Sequence, residues 1–487
     1  MNKRTIQREI SQRSLYEFVK LAFSIVLPGV DFVDNWHIRL VCGYLQALYE
    51  GKVKENNLVI NVPPGAMKSL LVCVMFPAWV WTRDQRKRFL CVTHSENFAQ
   101  RDALLSRNLI TSDWYKMTFD VMLKSDDARK TAYSNTNGGF RHSYGMKGLT
   151  GDHGDFLIVD DPMDIEDRYS EAERKFVLDV YDNVLPSRVD PRSGKKILIM
   201  QRLHQDDVTG HIKQKNEKTQ FVVLPMEYEG QVFNPIKGLE DPRDVNGTLL
   251  WAEMFNAEYV AGRKLLMSSM DVAGQFQQRP SPVAGNIFQR EWFVKRQPNT
   301  DIIARFISWD TAAAVTDSSA YSAGIVGEIT ASYKLYIRKV VRGKWTFPQL
   351  EDEVEQLALS YQFALKHVAI ESKSSGLSVI QSLNASSNII KHLEGTLGID
   401  HGELMKPVNP TSDKIARAML ITNFCEKGMV QLPPPDETNA EWLNLFEEEL
   451  FSFPNSSYLD QTDAFTQLVW FVSNYLEVGL SNWTIER

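Results

Sequence analysis

Two neighbouring polar residues in the first quarter of the chain could bind the phosphates of a nucleotide. Lys68 and Ser69 follow the apolar stretch LVINV, after a loop that contains Pro63 and Pro64. At a helix start, unpaired backbone N–H groups and the helix dipole attract an anion. The lysine would reach the β and γ phosphates, and the serine would bind Mg²⁺. A lysine in an ordinary surface loop is the alternative.

A second polar pair ends another apolar stretch. In DFLIVDDP, Asp160 and Asp161 follow the buried-type sequence FLIV. In nucleotide hydrolysis by phosphate-loop proteins, the first such acid holds Mg²⁺ and the second acts on the attacking water. We therefore assign Asp160 to the metal and Asp161 to catalysis. The alternative is that the acids only cap a helix.

A third apolar stretch leads into a polar segment with a possible coupling role. In ILIMQRLHQDDVTGHI the strand ends before Gln201, Arg202 and His204. Ligands of parallel sheets bind beyond the carboxyl ends of the strands, so we expect this segment beside the phosphates. There it could transmit hydrolysis to the rest of the chain. His204 could be a metal ligand, but we favour a hydrogen-bonded loop residue.

Four acids in the last 180 residues could form a second metal centre. Asp310 ends FISWD, Glu371 ends HVAIE, and Asp460 and Asp463 lie one turn apart at the start of a predicted helix in YLDQTDAF. Close carboxylates raise one another's pKa unless a cation binds, and two-metal nucleases use such clusters. We favour Asp460 as a metal ligand, with Asp463 close by. Each acid alone could instead be a helix cap or a surface residue.

Three further residues are candidates for supporting roles near these acids. Asp317 precedes a predicted strand and could support the metal centre or simply form a turn. Lys373 and Gly376 follow Glu371 closely, and we expect them to approach the DNA phosphate that is cut.

The elements that must position these residues are those of an α/β protein. From Leu58 onward, short apolar strands alternate with helical patterns, which predicts a mainly parallel sheet. We place a first domain at residues 1–229 and a connector rich in proline and glycine at 230–300. A second α/β domain follows at residues 301–487.

Composition and charge exclude several classes of protein. The 487 residues are 43% hydrophobic and 24% charged, and no run of about 18 apolar residues could span a membrane. The first residues lack the apolar core of a signal peptide, so we expect a cytoplasmic protein. A net charge of −7 argues against general coating of nucleic acid but allows a local basic channel. The four cysteines are not spaced as zinc or disulfide pairs.

The motifs, in their order along the chain, resemble those of the large terminase subunit of tailed bacteriophages. The likeness covers NWHIRLV, VPPGAMKSLL, FLIVDDP and ILIMQRLHQDDVTGHI in the first half. It continues through FQQRPSPVAGNIF, FISWDTA, HVAIESKSSG, KIARAMLI, GMVQLP and DQTDAF. The order of these motifs is more specific than any one of them.

The resemblance implies an N-terminal P-loop ATPase domain and a C-terminal RNase H-like nuclease domain. Such a protein packages viral DNA with ATP and Mg²⁺ and cuts concatemeric DNA with two Mg²⁺ or Mn²⁺ ions. Its expected partners are double-stranded DNA, the portal protein, the small terminase subunit and identical subunits in a ring, expected to be a pentamer. It would act in the cytoplasm of the infected bacterium and would not remain in the mature virion.

The resemblance also assigns roles to single residues. Phosphate loops of the family often resemble P-P-R-H-G-K-S, so Gly65 takes the arginine position and Met67 the last glycine position. Methionine enters positive φ less readily than glycine, which predicts an altered loop or weaker nucleotide binding. The implied nucleotide-binding residues are Pro64, Gly65, Ala66, Met67, Lys68 and Ser69, with Trp36 and His37 at the adenine.

Two arginines and one substitution complete the implied sites. Arg101 and Arg107 are candidates for the arginine that stabilises the transition state of hydrolysis, and solvated helix charges are the alternative. For Trp36 and His37 the alternative is a role in the core. In the last motif, usually H-D-D-x-x-D-A, Leu459 replaces the first acid.

Two other functions remain open from the sequence. A helicase-nuclease of DNA repair or restriction would need further helicase motifs and a second ATPase-like lobe, and we find neither after Glu229. A protein with a decayed ATPase that only docks on the portal or on DNA would fit the missing loop glycines. Lys68, Ser69, Asp160 and Asp161 count against the second alternative.

Overall fold

The computed structural model describes residues 3–53, 55–124, 130–149, 151–280, 286–298, 300–312, 321–372, 375–409 and 413–485, with side chains as far as 476. The chain divides into two compact units, Met1–Pro282 and Val283–Arg487. Each unit contains helices and a seven-stranded sheet. The mixed α/β architecture is therefore the one that the sequence predicts. Asp317 and Lys373 lie outside the described residues.

The first unit is built on a mainly parallel sheet. Its strands are β1 (Asn57–Asn61), β2 (Phe89–Thr93), β3 (Ala132–Ser134), β4 (Phe140–Gly145), β5 (Phe156–Asp160), β6 (Lys195–Met200) and β7 (Gln220–Val223). They lie in the order β3-β4-β2-β5-β6-β1-β7, and only β3 runs antiparallel to its neighbour. Parallel strands buried on both faces need continuous apolar sequence, as in LVIN and FLIV.

Helices cover this sheet. The α-helices are α1 (Lys3–Arg13), α2 (Leu15–Val26), α3 (Trp36–Tyr49), α4 (Phe76–Trp81), α5 (Glu96–Thr111), α6 (Asp113–Phe119), α7 (Glu171–Asn183), α8 (Val208–Gln214), α9 (Ala257–Leu266) and α10 (Ser269–Asp271). π-helical turns occur at Leu70–Met75 and Val272–Phe276, and a 3₁₀ turn occurs at Leu185–Arg188. One core joins α2, α3 and α4 to one face of the sheet, and α7 and α8 pack on the other.

The π-helical turn before α4 has a cause in the sequence. Pro77 lacks the N–H that would donate to the carbonyl of Cys73 in a regular helix. The N–H of the preceding residue, Phe76, donates to the carbonyl of Leu71, five residues back, which is the π-helical pattern. The guanidinium of Arg141, on β4, donates to the Cys73 carbonyl at 3.1 and 2.8 Å. Arg141 is fully buried. A distant strand therefore satisfies the acceptor that the proline leaves open.

Residues 230–280, which the sequence analysis places in the connector, pack within the first unit. The hydroxyl of Tyr44, on α3, donates to the carbonyl of Leu239 at 3.0 Å. The side chain of Gln277 accepts from the N–H of Glu227 and donates to its carbonyl, each at 3.1 Å. Arg168 forms a paired contact with Asp271 at 2.8 and 3.1 Å.

The second unit has a mixed sheet. Its strands are β8 (Val294–Lys295), β9 (Ile302–Asp310), β10 (Ser322–Thr330), β11 (Leu335–Gly343), β12 (Leu365–Glu371), β13 (Met405–Val408) and β14 (Val430–Leu432). They lie in the order β13-β12-β9-β10-β11-β14-β8, and β10 runs antiparallel to β9 and β11 while the other pairs are parallel.

The helices of the second unit include the one that carries its C-terminal acids. They are α11 (Phe347–Ser360), α12 (Gly376–Ser386), α13 (Asn388–Leu397), α14 (Lys414–Glu426), α15 (Ala440–Ser452) and α16 (Asp460–Ile485), with a 3₁₀ turn at Arg290–Trp292. Gln467 of α16 donates to Ser308 of β9 at 3.0 Å, which fixes the helix against the sheet centre. Among the described residues, no helix combines the length and apolarity needed to cross a bilayer.

Candidate functional site

Three adjacent strands of the first unit position the residues of the predicted nucleotide site. β6 lies between β1 and β5, and all three run parallel. Lys68, Asp161 and Gln201 follow these strands and meet at the same edge of the sheet. Nζ of Lys68 lies 2.5 Å from Oδ2 of Asp161, and the N–H of Gln201 donates to Oδ1 of that aspartate at 3.1 Å.

The loop at residues 62–69 keeps a strained backbone where the sequence lacks a glycine. Gly65 has φ of 81°, and Met67 has φ of 59°, so the methionine adopts the left-handed conformation that glycine favours. A Cβ at Gly65 would lie 2.7 Å from Phe255, and an arginine there would collide with this ring unless the ring moved. Glycine therefore fits at position 65 beside the Phe255 ring, and Ala66 of the same loop is buried.

Asp161 has a strained backbone conformation that several hydrogen bonds hold in place. Its φ of 39° is rare for any residue other than glycine. Its carbonyl accepts from the N–H of His94 at 3.3 Å and lies 2.9 Å from Nδ1 of that histidine. Strained residues that their surroundings fix in place are often functional. The sequence pattern did not indicate His94, although this residue follows β2 at the same edge of the sheet.

Asp160 has the properties of a metal ligand. The residue is 3% exposed, and burial and the neighbouring Asp161 raise its pKa to about 7, while Lys68 and Ser69 act in the opposite direction. Its Oδ1 atom is buried and has no hydrogen-bond partner among the described residues. A divalent cation would satisfy this oxygen, so the residues present fit Mg²⁺.

Trp36 and His37 lie close to the phosphate loop, on α3. His37 is fully buried, and burial lowers its pKa to about 4, opposed by the backbone of Ala66. The guanidinium of Arg243 lies 5.1 Å from the centre of the Trp36 ring, which is partly exposed. His37 is therefore a neutral residue supporting the loop, and one face of Trp36 is covered by a cation.

The segment after β6 is tied to residues far along the chain. Nε of Arg202 donates to both carboxylate oxygens of Asp207 at 2.9 and 2.8 Å, and the N–H of Arg202 donates to Gln278 at 3.0 Å. The Nδ1 atom of His204 accepts from the N–H of Asp206 at 3.1 Å. His204 thus has the hydrogen-bonded loop environment that we favoured over metal ligation.

The two arginine candidates on α5 differ in position. Nε of Arg101 donates to Asp102 at 2.9 Å, and a carboxylate oxygen of Asp102 lies within 4.8 Å of Asp160 and of the Cys73 thiol. Arg107 is partly buried, and its charge opposes the rise in the pKa of Tyr133 that burial causes. Of the two, only Arg101 pairs with a residue beside the acids of its own chain.

The second unit gathers its predicted acids at the end of the sheet. Carboxylate oxygens of Asp310, Glu371 and Asp463 all lie within 4.8 Å of one another. Asp310 ends β9, Glu371 ends its parallel neighbour β12, and Asp463 lies in the first turn of α16. Asp460 turns away in part, because its Oδ2 accepts from the N–H of Tyr321 at 3.0 Å. Asp463 therefore belongs to the tight group, and Asp460 lies at its edge.

Helix α14 adds two cations, Lys414 and Arg417, which the sequence indicated only as part of the motif KIARAMLI. Nζ of Lys414 lies 3.1 Å from Asp463, 3.5 Å from Asp310 and 3.8 Å from Asp460. Nη2 of Arg417 contacts both oxygens of Asp463 and lies 3.8 Å from Glu371. Their spacing of three places both on one helix face, which was the signal available in the sequence.

The electrostatics of this cluster favour a cation. Burial, followed by the charge of Asp463, raises the pKa of Asp310 to about 7, while Lys414 opposes the rise. Burial also raises the pKa of Asp460. Closely spaced carboxylate oxygens of this kind are the ligands that Mg²⁺ and Mn²⁺ prefer, so the donor set fits a divalent metal.

Gly376 starts α12 against this site, and a Cβ there would meet the Glu371 carbonyl at 1.9 Å.

No protein-family model and no curated protein sequence matches the chain. Solved structures do match its fold. The large terminase of a thermophilic bacteriophage, in crystal form 2, gives a TM-score of 0.52 at 10% identity, over 87% of this chain and 97% of that one. The same terminase in complex with ADP gives 0.52 at 10% identity, over 90% and 98%. The chain therefore has the fold of a bacteriophage large terminase.

Proposed function

We propose that this chain is the large terminase subunit of a tailed bacteriophage, an ATP-driven translocase of double-stranded DNA joined to a divalent-metal endonuclease. One observation carries the proposal. A chain with the large-terminase fold has Lys68 paired with Asp161 at the edge of one sheet and a group of three acids at the edge of another. Fold alone does not specify activity, and these two sites supply the chemistry.

We assign residues 1–229 to a P-loop ATPase, residues 230–300 to a connector and residues 301–487 to an RNase H-like nuclease. The loop between β1 and the helix that starts at Lys68 supports the first assignment. The acids at the ends of β9 and β12 and at the start of α16 support the last. The structural neighbour solved with ADP is consistent with nucleotide binding by the first unit.

In the ATPase, phosphate binding would rearrange the ion pair between Lys68 and Asp161. A triphosphate offers Lys68 more negative charge than one carboxylate does, and transfer of the lysine to it would free Asp161 to orient the attacking water. Gln201 donates its N–H to the same carboxylate, so a movement of Asp161 reaches the segment Gln201, Arg202 and His204. Mg²⁺, held by Ser69 and Asp160, would neutralise phosphate charge.

In the nuclease, the acids at the ends of β9 and β12 and at the start of α16 would hold the metal ions that position DNA for hydrolysis. Mg²⁺ or Mn²⁺ held by Asp310, Glu371, Asp460 and Asp463 would activate water and stabilise the leaving oxygen. Contacts to phosphates position DNA without reading its bases, so we expect little sequence selectivity in the cut itself.

The proposal includes partners and a place of action. The subunit would assemble as a ring, expected to be a pentamer, with the portal protein and the small terminase subunit on the prohead in the host cytoplasm. It would leave before the virion matures. Arg101 or Arg107 of a neighbouring subunit would then stabilise the transition state of ATP hydrolysis, so an isolated subunit should turn over slowly.

ATP turnover with and without double-stranded DNA tests the motor. We expect DNA to stimulate wild-type turnover and Lys68→Ala to abolish it, because the ammonium is lost from the phosphates. Lys52→Ala is a matched control, since Lys52 is exposed and pairs only with Glu50 among the contacts described. Equal turnover in wild type and Lys68→Ala would eliminate the motor.

DNA binding and strand separation, measured on the same preparation, distinguish the alternatives. A docking protein with a decayed ATPase would bind DNA without hydrolysing ATP. A repair or restriction helicase-nuclease would separate the strands of a duplex during hydrolysis, whereas a packaging motor leaves them paired. Strand separation by the wild-type chain would therefore contradict the terminase proposal.

A further inference from the structure

The N-terminal turn of α14 lies on the acidic group of the second unit. Asp463, Asp310 and Asp460 surround the ammonium of Lys414 at 3.1, 3.5 and 3.8 Å. The carboxylate of Asp413 caps this turn by accepting from the N–H of Ala416 at 2.8 Å, which fixes the direction of the helix. The geometry is therefore set by the fold.

Local electrostatics argue that Lys414 has a specific role. A lysine in the first turn of a helix is disfavoured by the helix dipole, which prefers an acid there. The three aspartates offset this cost. They cannot fully satisfy both the lysine and a divalent metal, because the same oxygens must serve both.

Lys414 and Arg417 differ in how firmly they are held. The side chain of Arg417 is 17% exposed and binds both oxygens of Asp463, so it orients that acid. The side chain of Lys414 is 39% exposed and contacts each aspartate through a single oxygen. Displacing Lys414 would break single-oxygen contacts of 3.1, 3.5 and 3.8 Å, whereas displacing Arg417 would break a paired contact.

We propose that Lys414 is a further catalytic residue of the nuclease. It holds the aspartates together before metal binds, and it contacts the phosphate of the DNA strand once metal has taken the carboxylate oxygens. The inference rests on the proposed nuclease function. It predicts that Lys414 competes with metal but assists DNA, two effects of opposite sign that a purely structural lysine would not produce.

The test uses the full chain with Asp160→Asn, which removes one carboxylate from the candidate metal site of the first unit, and compares Lys414→Gln, Lys414→Arg and Lys427→Gln. Lys427 follows the other end of α14 and serves as the matched control. Mn²⁺ affinity is measured without DNA from the electron paramagnetic resonance of free Mn²⁺. Duplex binding is measured in Ca²⁺ over a range of salt concentrations, and plasmid cleavage is measured at saturating Mn²⁺.

For Lys414→Gln we expect Mn²⁺ to bind about tenfold more tightly, because a competing charge at 3–4 Å is removed. The slope of log affinity for duplex against log salt should fall by about 0.9, the value for one lost phosphate contact. Cleavage at saturating Mn²⁺ should fall at least about tenfold, the cost of one lost charged contact in the transition state. Lys414→Arg should restore the salt slope, and Lys427→Gln should match the parent.

Two results would overturn the inference while leaving the nuclease intact. One is weaker or unchanged Mn²⁺ binding in Lys414→Gln, and the other is cleavage at the parent rate. If the parent chain itself neither binds Mn²⁺ nor cuts DNA, the proposed nuclease function fails, and the inference fails with it.

Discussion

At the scale of single residues, Met67 shows how the phosphate loop forms without its last glycine. The residue adopts φ of 59° and packs partly against the core of the first unit. The loop therefore keeps the glycine-like backbone at a cost in strain rather than taking an altered shape, and weaker nucleotide binding stays a prediction. A methionine in this conformation costs about 1 kcal/mol relative to glycine.

Replacing Met67 by glycine and by alanine separates strain from packing. Both variants lose the contacts that the Met67 side chain makes beyond Cβ, but only glycine relieves the strained φ. We expect Met67→Gly to be more stable than Met67→Ala by about 1 kcal/mol in urea unfolding. Equal stability of the two variants would show that the loop has another conformation.

His37 gives the fold a dependence on pH. Its folded-state pKa is about 4, below the ordinary value of 6.5, because burial disfavours the charged imidazolium. The unfolded chain therefore binds the proton more readily, and the stabilisation is complete above pH 6.5 and declines as pH falls toward 4. The loss from this residue should reach about 3 kcal/mol at pH 4.

The variant His37→Gln isolates this contribution, because glutamine can accept the hydrogen bond from Asn35 without titrating. Between pH 7 and pH 4, wild type should lose more stability than the variant. The two melting temperatures should converge as pH falls. Parallel loss in both would mean that His37 is not buried as a neutral side chain.

At the scale of elements, the helix after the phosphate loop depends on strand β4. Arg141→Met would leave the buried carbonyl of Cys73 without the guanidinium, and Pro77 supplies no N–H in its place. We expect a loss of about 2 kcal/mol. In a Pro77→Ala background the loss should be smaller, since the alanine N–H can donate to that carbonyl. Equal losses in the two backgrounds would refute this account of the π-helical turn.

The elements that the sequence predicts are those with the longest apolar patterns. Central strands such as β1, β5 and β9 are buried on both sides and must be apolar throughout, so they are visible in the sequence. The short or polar strands β3, β4, β13 and β14 are absent from the sequence prediction, because they lack a long apolar run, and all but β3 pair with strands distant in the chain. The role of Arg141 is likewise not visible in the sequence, because it depends on the contact with Cys73.

The contacts within the candidate sites also divide into those that the sequence predicts and those that it does not. The rule that parallel strands end at one edge predicts that Lys68 meets Asp161 and that Asp310 meets Glu371. The contacts of Lys414 and Arg417 with the acids depend on the direction in which α14 packs, which no local pattern specifies. The sequence also ranked Asp460 above Asp463, whereas a backbone N–H from Tyr321 draws Asp460 toward the edge of the group.

At the scale of the whole molecule, proline and glycine between residues 230 and 300 suggested a connector, and contacts determine where the part at residues 230–280 packs. Tyr44, Gln277 and Arg168 tie it to the first unit. Turn residues mark irregular chain but do not distinguish a linker from an irregular layer on a domain. Through Gln278 and Arg202 the same segment reaches the strand that ends beside Asp161.

The most direct test of the account is a crossed assay of one full-length preparation. ATP turnover with DNA and Mn²⁺-dependent plasmid cleavage are measured for wild type, Asp161→Asn and Asp310→Asn. Because the two acids lie in different compact units, we expect Asp161→Asn to lose ATP turnover but still cut DNA, and Asp310→Asn to lose cutting but still hydrolyse ATP. Loss of both activities in either variant, or of neither, would contradict a chain with two separate catalytic centres.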